Sequence, residues 1–134
     1  MAIPVQQVFL VRHGETEWSL NGRHTGITDI PLTEYGRQMA SLLRPILAKE
    51  SFTLALTSPL QRARETCRLA GFEDVTKIEP DLVEWNYGRY EGMTLSQIHA
   101  TAPSWLLFRD GAPEGEQPDE IGARVDRVIE KARA

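Results

Sequence analysis

The chain has 134 residues and a mass of 15.1 kDa, which suits one globular domain. Its 41 % apolar and 25 % charged residues exclude disorder and collagen-like repeats, and its net charge of −4 argues against a general nucleic-acid binder. We see no apolar run long enough for a membrane span and no secretory signal. A single cysteine, Cys67, excludes an internal disulfide framework and favours a reducing compartment, so we expect a cytoplasmic protein.

The first predicted element is a strand over Val8–Val11. Four consecutive apolar residues, mostly β-branched or aromatic, are typical of a strand that is buried on both faces. This strand ends at Arg12, His13 and Gly14. Turn-forming dipeptides then indicate a loop that runs to about Leu32.

Two helices are predicted on either side of a second strand. Thr33 is the N-cap candidate of the first helix, and Pro45 lies inside its apolar pattern, where a proline kinks or ends a helix. The apolar stripe of this helix is Tyr35, Met39, Leu42, Leu43, Ile46 and Leu47. A buried strand follows over Phe52–Leu56. Ser58 then caps the next helix, with Pro59 at its first position.

This next helix carries an arginine away from its apolar face. The predicted buried face is Leu60, Ala63, Cys67 and Ala70. Gly71 is expected to end the helix. Arg62 lies in the first turn, off that face, so the sequence does not require its burial.

The second half of the chain is predicted to hold shorter elements and a closing helix. A short strand over Val75–Ile78 precedes an aromatic loop over 81–93, and short helices follow over Leu95–Ala100 and Ser104–Phe108. The apolar stripe of the closing helix is Ile121, Val125, Val128, Ile129 and Ala132. Strands that alternate with helices predict an α/β fold, here a three-layer α/β/α sandwich with a mainly parallel sheet.

Chemically versatile residues follow both early strands. Arg12 and His13 lie beyond the end of the first strand, which is where ligands bind in open α/β sheets. Imidazole can act as a nucleophile or a base, and an adjacent arginine can hold an anion for in-line attack. Arg62 lies near the start of the helix after the second strand, and helix N-termini bind anions. Together the three residues predict a phosphate site.

A phosphoryl-transfer site also needs an acid that protonates the leaving oxygen, and Glu84 is the best candidate. Its neighbours Trp85, Tyr87 and Tyr90 form an aromatic setting that favours the protonated carboxyl. The competing carboxyl groups are Glu15, Glu17, Asp81 and Glu91. The three histidines and one cysteine show no zinc-type spacing, and no P-loop is present, so neither a metal nor a cofactor is expected.

Some of these residues also have purely structural interpretations. A lone histidine after a strand is more often structural than catalytic, so the interpretation of His13 depends on its neighbours. His24 and His99 lack a supporting pattern and are predicted at the surface, while Cys67 is predicted in the core. The arginines predicted on solvated helix faces are Arg64, Arg68, Arg124 and Arg127.

Four motifs follow one another in a family-like order along the chain. They are Leu10–Trp18 (LVRHGETEW), Thr25-Gly26 with Leu32–Gly36 (LTEYG), Thr57–Ala63 (TSPLQRA) and Glu84–Gly92 (EWNYGRYEG). In this order they resemble the signature of the histidine phosphatase superfamily, the phosphoglycerate-mutase-like group. The resemblance spans most of the chain and implies a phosphoglycerate-mutase-like fold.

The resemblance implies a role for each matching residue. His13 would be the nucleophile that forms a phosphohistidine intermediate, and Glu84 the general acid and then the base that activates water. The phosphate-binding residues would be Arg12, Arg62, Thr25 and Gly26. The implied partner is a small phosphorylated substrate, and no metal or nucleotide is implied.

Within the superfamily, the sequence resembles the sedoheptulose-bisphosphatase-like branch more than the true mutases. Trp85 stands where mutases tend to carry an arginine, and no lysine follows Gly92 until Lys131. The segment Trp105–Gly111 also resembles that branch. We therefore expect a phosphatase for a sugar phosphate or a similar small phosphomonoester, with a phosphoglycerate mutase as the alternative.

The superfamily also has a second catalytic histidine, in a His-Gly motif after a late strand, and no histidine here fits that motif. We therefore expect residues 1–134 to be the N-terminal part of a single histidine phosphatase domain that is truncated at its C-terminus. A non-catalytic phosphate-binding relative is the other interpretation. Without the late strand, Val8–Val11 would expose an edge that invites pairing, so a homodimer is a candidate assembly.

Overall fold

The computed structural model describes residues 5–134. In this part of the chain three helices precede the first strand, one helix lies between the two strands and three helices follow the second, with 3₁₀ turns at Pro80–Leu82 and Gly88–Tyr90. The strands are β1 (Leu56–Thr57) and β2 (Lys77–Ile78). The helices are α1 (Glu17–Leu20), α2 (Glu34–Ser41), α3 (Leu43–Leu47), α4 (Gln61–Leu69), α5 (Leu95–Thr101), α6 (Leu107–Asp110) and α7 (Pro118–Arg133).

The sheet consists, within residues 5–134, of β1 and β2 running in parallel. Leu56 pairs with Lys77 and Thr57 pairs with Ile78, and α4 connects the two strands. A parallel pair requires such a crossover, which a helix usually supplies. This unit confirms the predicted α/β class with a parallel sheet. Both strands are shorter than predicted. Residues 52–55 and 75–76, which the sequence placed in strands, lie outside them.

The predicted strand over Val8–Val11 is wrong. Val8 is 69 % exposed and Leu10 is 92 % exposed, and residues 8–11 exchange no backbone hydrogen bond with any other described residue. β-Branched and aromatic residues fit a sheet well, but a strand exists only through hydrogen bonds to a neighbour. The apolar pattern therefore identifies a segment suited to a sheet, and its pairing depends on tertiary structure.

The predicted start and break of the first long helical region are confirmed. The Thr33 hydroxyl accepts a hydrogen bond from the Gly36 amide at 3.0 Å and caps α2. Leu42 separates α2 from α3, as expected from Pro45, which cannot donate to the carbonyl one turn earlier. The inward face differs from the predicted stripe, because Gly36 and Ala40 are the buried residues of α2. The stripe residues that stay exposed are Tyr35, Met39, Leu42 and Ile46.

Helix α4 begins later than predicted and turns a different face inward. Its first residue is Gln61, with Leu60 rather than Ser58 at the N-cap. The Gln61 amide donates to Asp29 Oδ1 at 2.8 Å, so a remote loop caps the helix. The fully buried residues of this region are Arg62, Thr66 and Ala70, and of these only Ala70 belongs to the predicted face. The C-terminal end is as predicted, at Gly71.

Two tryptophans anchor the C-terminal half of the fold. Trp85 Nε1 donates to the Glu116 carbonyl at 2.8 Å, and Trp105 Nε1 donates to the Gly111 carbonyl at 2.8 Å. Both rings are buried, and a buried indole N–H needs such a partner. Helix α5 matches its prediction, whereas α6 begins later than predicted. Among residues 5–134, no helix is long and apolar enough to cross a membrane.

Candidate active site

His13 lies in the turn after residues 8–11, and its side chain is half-buried. Its Nδ1 lies 2.7 Å from the Gly14 carbonyl oxygen. A carbonyl at that distance requires a proton on Nδ1, so the neutral ring carries its lone pair on Nε2. The geometry therefore presents Nε2 as the nucleophilic atom of this ring.

The side chain of Arg62 is buried and donates hydrogen bonds to a single loop. The sequence-based expectation of an Arg62 that does not require burial is therefore wrong. Arg62 is 2 % exposed. Its Nη1 donates to Thr28 O at 2.9 Å, and its Nη2 donates to Gly26 O at 2.6 Å and to Thr25 O at 3.3 Å. A guanidinium has five N–H donors, so Nε and one Nη1 hydrogen have no partner among the described residues. Arg62 therefore keeps donor capacity beyond its bonds to this loop.

Glu91 binds hydrogen-bond donors of the same loop whose carbonyls accept from Arg62. Its Oε2 accepts hydrogen bonds from the Gly26 amide at 3.0 Å and from the Thr28 hydroxyl at 3.0 Å. Its Oε1 accepts from the Ile27 amide at 2.7 Å. The Gly26 amide is therefore occupied, and the Thr25 hydroxyl donates to Arg23 O at 3.1 Å. Because both Glu91 oxygens are engaged, this carboxylate is a poor competitor of Glu84 for the acid role.

The charges of the predicted site residues act on His13 together. Burial lowers the pKa of His13, the hydrogen bond to Gly14 raises it, Arg62 and Arg12 lower it, and Glu84 raises it. Arg12, Arg62 and Glu84 therefore lie within electrostatic range of the imidazole. The neutral ring is favoured, which is the form that can act as a nucleophile.

We predict that His13 titrates below the ordinary histidine value of 6.5. Arg12→Gln should raise the midpoint because a cation is removed, and Glu84→Gln should lower it because an anion is removed. The folded protein binds fewer protons here than the unfolded chain, so this group lowers stability as the pH falls below 6.5. Histidine NMR titration measures the midpoints, with exposed Arg64→Gln as the control. Unchanged midpoints in both charge variants would contradict the predicted proximity.

Tyr87 entered the sequence analysis only as an aromatic neighbour of Glu84, and the structure adds that its pKa responds to the charged residues of the candidate site. Burial raises the pKa of Tyr87 to about 12, Glu84 and Glu91 raise it, and Arg12 and Arg62 oppose them. The phenol therefore stays protonated at neutral pH and can donate a hydrogen bond. The sequence feature that could have identified Tyr87 is its position in the aromatic loop, two residues after Trp85.

Glu84 is exposed, and the expectation of an aromatic enclosure around its carboxyl is wrong. The adjacent Trp85 ring is buried instead, and the exposed ring of Phe108 meets it edge-on with ring centroids 5.6 Å apart. Glu84 Oε1 accepts a hydrogen bond from the Trp85 amide at 3.0 Å. The carboxyl group is therefore held beside the site but is open to water.

Arg124 of α7 positions the segment before Glu84, so the prediction of a solvated Arg124 is wrong. Its Nη1 donates to Asp81 O at 2.7 Å and to Val83 O at 2.8 Å. Its Nε and Nη2 donate to the Glu116 carboxylate at 2.7 and 2.8 Å. None of the predicted apolar stripe of α7 is fully buried, so polar contacts account for much of its attachment.

We predict that Arg124→Met lowers the free energy of unfolding by about 2 kcal/mol, because it leaves partly buried acceptors without a charged donor. Arg124 lowers the pKa of Glu116, so this stabilisation is complete above pH 4.5 and is lost as the pH falls through the lowered value. Urea unfolding at several pH values measures the loss. Arg127→Met is the matched control, since its exposed pair with Asp81 should contribute much less. Equal losses of unfolding free energy in Arg124→Met and Arg127→Met would contradict the stabilising role assigned to Arg124.

The remaining histidines are structural in this fold. His24 Nδ1 lies 2.8 Å from Met93 O, and its ring meets Tyr87 edge-on. His99 Nε2 lies 3.1 Å from Trp105 O. Both are half-buried rather than at the surface as predicted. Within residues 5–134, no cluster of three or more His, Cys, Asp or Glu side chains is placed to hold a metal ion.

The model of the histidine phosphatase superfamily (branch 1) matches residues 8–134. The chain belongs to this superfamily. It is 38 % identical over 131 residues to an acid phosphatase of Mycobacterium tuberculosis, a match that covers 96 % of this chain and 64 % of the relative. It is 40 % identical over 143 residues to sedoheptulose 1,7-bisphosphatase of Saccharomyces cerevisiae, a match that covers 90 % of this chain and 53 % of the relative. The chain thus spans between about half and two thirds of the length of these two relatives.

Solved structures confirm the expected phosphoglycerate-mutase-like fold. An open-reading-frame product of Mycobacterium tuberculosis superposes with a TM-score of 0.82 at 39 % identity, over 87 % of this chain and 61 % of that one. A phosphoglycerate mutase from Thermus thermophilus superposes with a TM-score of 0.69 at 34 % identity, over 89 % of this chain and 68 % of that one. The predicted family resemblance is therefore confirmed.

Proposed function

We propose that the protein hydrolyses small phosphomonoesters through a phosphohistidine at His13, without a metal ion. The observation that carries the proposal is the Nδ1 contact to the Gly14 carbonyl, which leaves Nε2 as a nucleophile. Arg12 and Arg62 lie close enough for their charges to act on this ring. Phosphoryl transfer depends mainly on such positioning and charge neutralisation.

In the first step, His13 Nε2 attacks the phosphorus and forms an N–P bond while the P–O ester bond breaks. The positive charges of Arg12 and Arg62 neutralise the phosphoryl oxygens. Glu84 gives its proton to the leaving alkoxide and becomes a carboxylate. Thr25 and Gly26 contribute by holding the Arg62 guanidinium through their carbonyls.

In the second step, the Glu84 carboxylate takes a proton from a water molecule whose oxygen attacks the phosphorus. The N–P bond breaks, Nε2 recovers its lone pair, and orthophosphate leaves. Glu84 is then protonated again, which restores the starting state. The exposure of Glu84 supports this role because water can reach its carboxyl group.

We place the substrate among the sugar phosphates. Two relatives are named acid phosphatase and sedoheptulose 1,7-bisphosphatase. The buried Trp85 occupies the position where mutases tend to have an arginine, so that cation is missing from this chain. Phosphoglycerate mutase is the second candidate, since a phosphoglycerate mutase is among the structural neighbours. Release of orthophosphate distinguishes hydrolysis from transfer to a second position of the phosphoglycerate.

The test uses the native protein with its natural termini, whose intact mass is recorded first. The protein is given p-nitrophenyl phosphate in EDTA, quenched, and digested, and the phosphorylated peptide is identified. We expect turnover in EDTA and an acid-labile phosphoryl group on His13. Turnover that EDTA abolishes, or a phosphoryl group on another residue, would overturn the proposal. Binding of phosphate without any turnover would favour a non-catalytic phosphate-binding protein.

We also propose a cytoplasmic location and a homodimer. The lone, half-buried Cys67 supports the first. The exposed apolar side chains of Val8 and Leu10 support the second, since such surfaces favour association. Sedimentation of the native protein over a range of concentrations tests the assembly, and a monomer at every concentration would exclude the dimer.

A further inference from the structure

Thr66 connects helix α4 to the turn that carries His13. It is 3 % exposed, and its hydroxyl makes two hydrogen bonds. Oγ1 donates to Arg62 O, one helical turn earlier, at 2.7 Å. Oγ1 also accepts from the Gly14 amide at 3.0 Å, across 52 residues of sequence. Because the hydroxyl has a single proton, donation to Arg62 O leaves a lone pair for the Gly14 N–H.

The Gly14 amide belongs to the peptide that joins it to His13. The next peptide supplies the carbonyl that lies 2.7 Å from His13 Nδ1. Glycine has wide φ and ψ freedom, so an unheld Gly14 could rotate this carbonyl away from the ring. The structure restrains it with the Thr66 hydroxyl on the amide and with the α2 backbone, since a Cβ on Gly14 would lie 2.6 Å from Gly36 O.

We propose that Thr66 is a positioning residue for the reaction at His13. It holds the His13–Gly14 peptide so that the Gly14 carbonyl stays on Nδ1 and the Nε2 lone pair stays available. It acts through Gly14 and does not contact the reacting atoms. This inference rests on the proposed phosphohistidine chemistry, since its purpose is to keep Nε2 unprotonated.

Thr76 offers a matched comparison for a purely structural threonine. Its Oγ1 donates to Phe72 O, also four residues earlier, at 2.6 Å. It accepts a weaker bond from Cys67 Sγ at 3.1 Å and makes no bond to the His13 turn among the described contacts. A threonine hydroxyl bonded to the carbonyl one turn earlier is a common local pattern. The amide of Gly14 is the partner that distinguishes Thr66.

The experiment compares Thr66→Val, Thr66→Ser and Thr76→Val in the native protein. The ¹⁵N shifts of the His13 ring report which nitrogen carries the proton, and kcat and KM are measured with p-nitrophenyl phosphate. We expect Thr66→Val to lose the preference for Nδ1–H and to lower kcat by roughly 10- to 100-fold with little change in KM. Thr66→Ser should restore both readouts, and Thr76→Val should change neither.

The tautomer readout separates this inference from the proposed function. A shifted tautomer in Thr66→Val supports the positioning role even if no variant turns over. An unchanged tautomer, or a kcat unchanged in an active enzyme, overturns that role even if His13 is phosphorylated. If Thr66→Val does not fold, hydrogen exchange at the Gly14 amide and the tautomer of His13 in the unmutated protein decide the matter. Fast hydrogen exchange at the Gly14 amide, or a proton on Nε2 in the neutral ring, would overturn the inference.

Discussion

Replacing His13 with asparagine should abolish phosphoenzyme formation and lower turnover by roughly a thousandfold or more. Asparagine keeps a polar group beside the Gly14 carbonyl, but it has no unprotonated ring nitrogen that can attack phosphorus. The remaining Arg12 and Arg62 can still bind phosphate. We therefore expect phosphate affinity to persist while covalent labelling disappears, which isothermal titration and acid-quench labelling measure separately.

His99→Asn is the matched control for this loss. His99 is also half-buried, and one of its ring nitrogens also lies near a backbone carbonyl, at 3.1 Å from Trp105 O. The same substitution there perturbs packing without touching the site, so turnover should stay near that of the unmutated protein. Retention of full turnover in His13→Asn, with His99→Asn equally active, would refute the nucleophile assignment.

Replacing Arg62 with methionine should lower both stability and phosphate binding. Three carbonyls of residues 25, 26 and 28 would lose their donor, and hydrogen bonds to charged groups contribute about 1.5–3 kcal/mol each. Burial of the apolar methionine offsets part of the loss, so we expect about 3 kcal/mol less free energy of unfolding. Phosphate affinity should also fall, because one of the two cations of the proposed phosphate site disappears.

Urea unfolding and phosphate titration measure the two effects of Arg62→Met. Arg64→Met, on the exposed side of α4, is the control and should leave both quantities nearly unchanged. Arg62→Lys should rescue little, since a compact ammonium cannot reach three carbonyls and an anion at once. An Arg62→Met protein with the unfolding midpoint of the unmutated protein would contradict the stabilising role of the Arg62 hydrogen bonds to residues 25, 26 and 28.

The ordered motifs identified the superfamily, which the family comparison confirms. The catalytic roles of His13, Arg62 and Glu84 stay predictions, supported by the effect of Arg62 and Glu84 on the pKa of His13. The residues that hold this set in place were not predicted. Glu91 binds the Gly26 amide from 65 positions away, and Thr66 binds the Gly14 amide from 52 positions away. Hydrogen bonds of this kind leave no periodic trace in a sequence.

Local signals placed several helix ends correctly. The Thr33 cap, the interruption before Pro45 and the end at Gly71 depend on groups within a few residues of each other. The start of α4 was misplaced because its first amide is capped by Asp29, which lies 32 residues earlier. Local rules therefore succeed where both partners are close in the chain and fail where a remote loop supplies one of them.

By itself the sequence determined the α/β class and the superfamily, because apolar periodicity, capping residues and ordered motifs are local properties. Tertiary structure alone decided which faces are buried and which segments pair. Arg62 turned inward because three carbonyls of a distant loop could satisfy its charge, and residues 8–11 stayed exposed although their composition favours a strand. Burial of a polar group depends on partners, and partners are set by contacts between segments far apart in the chain.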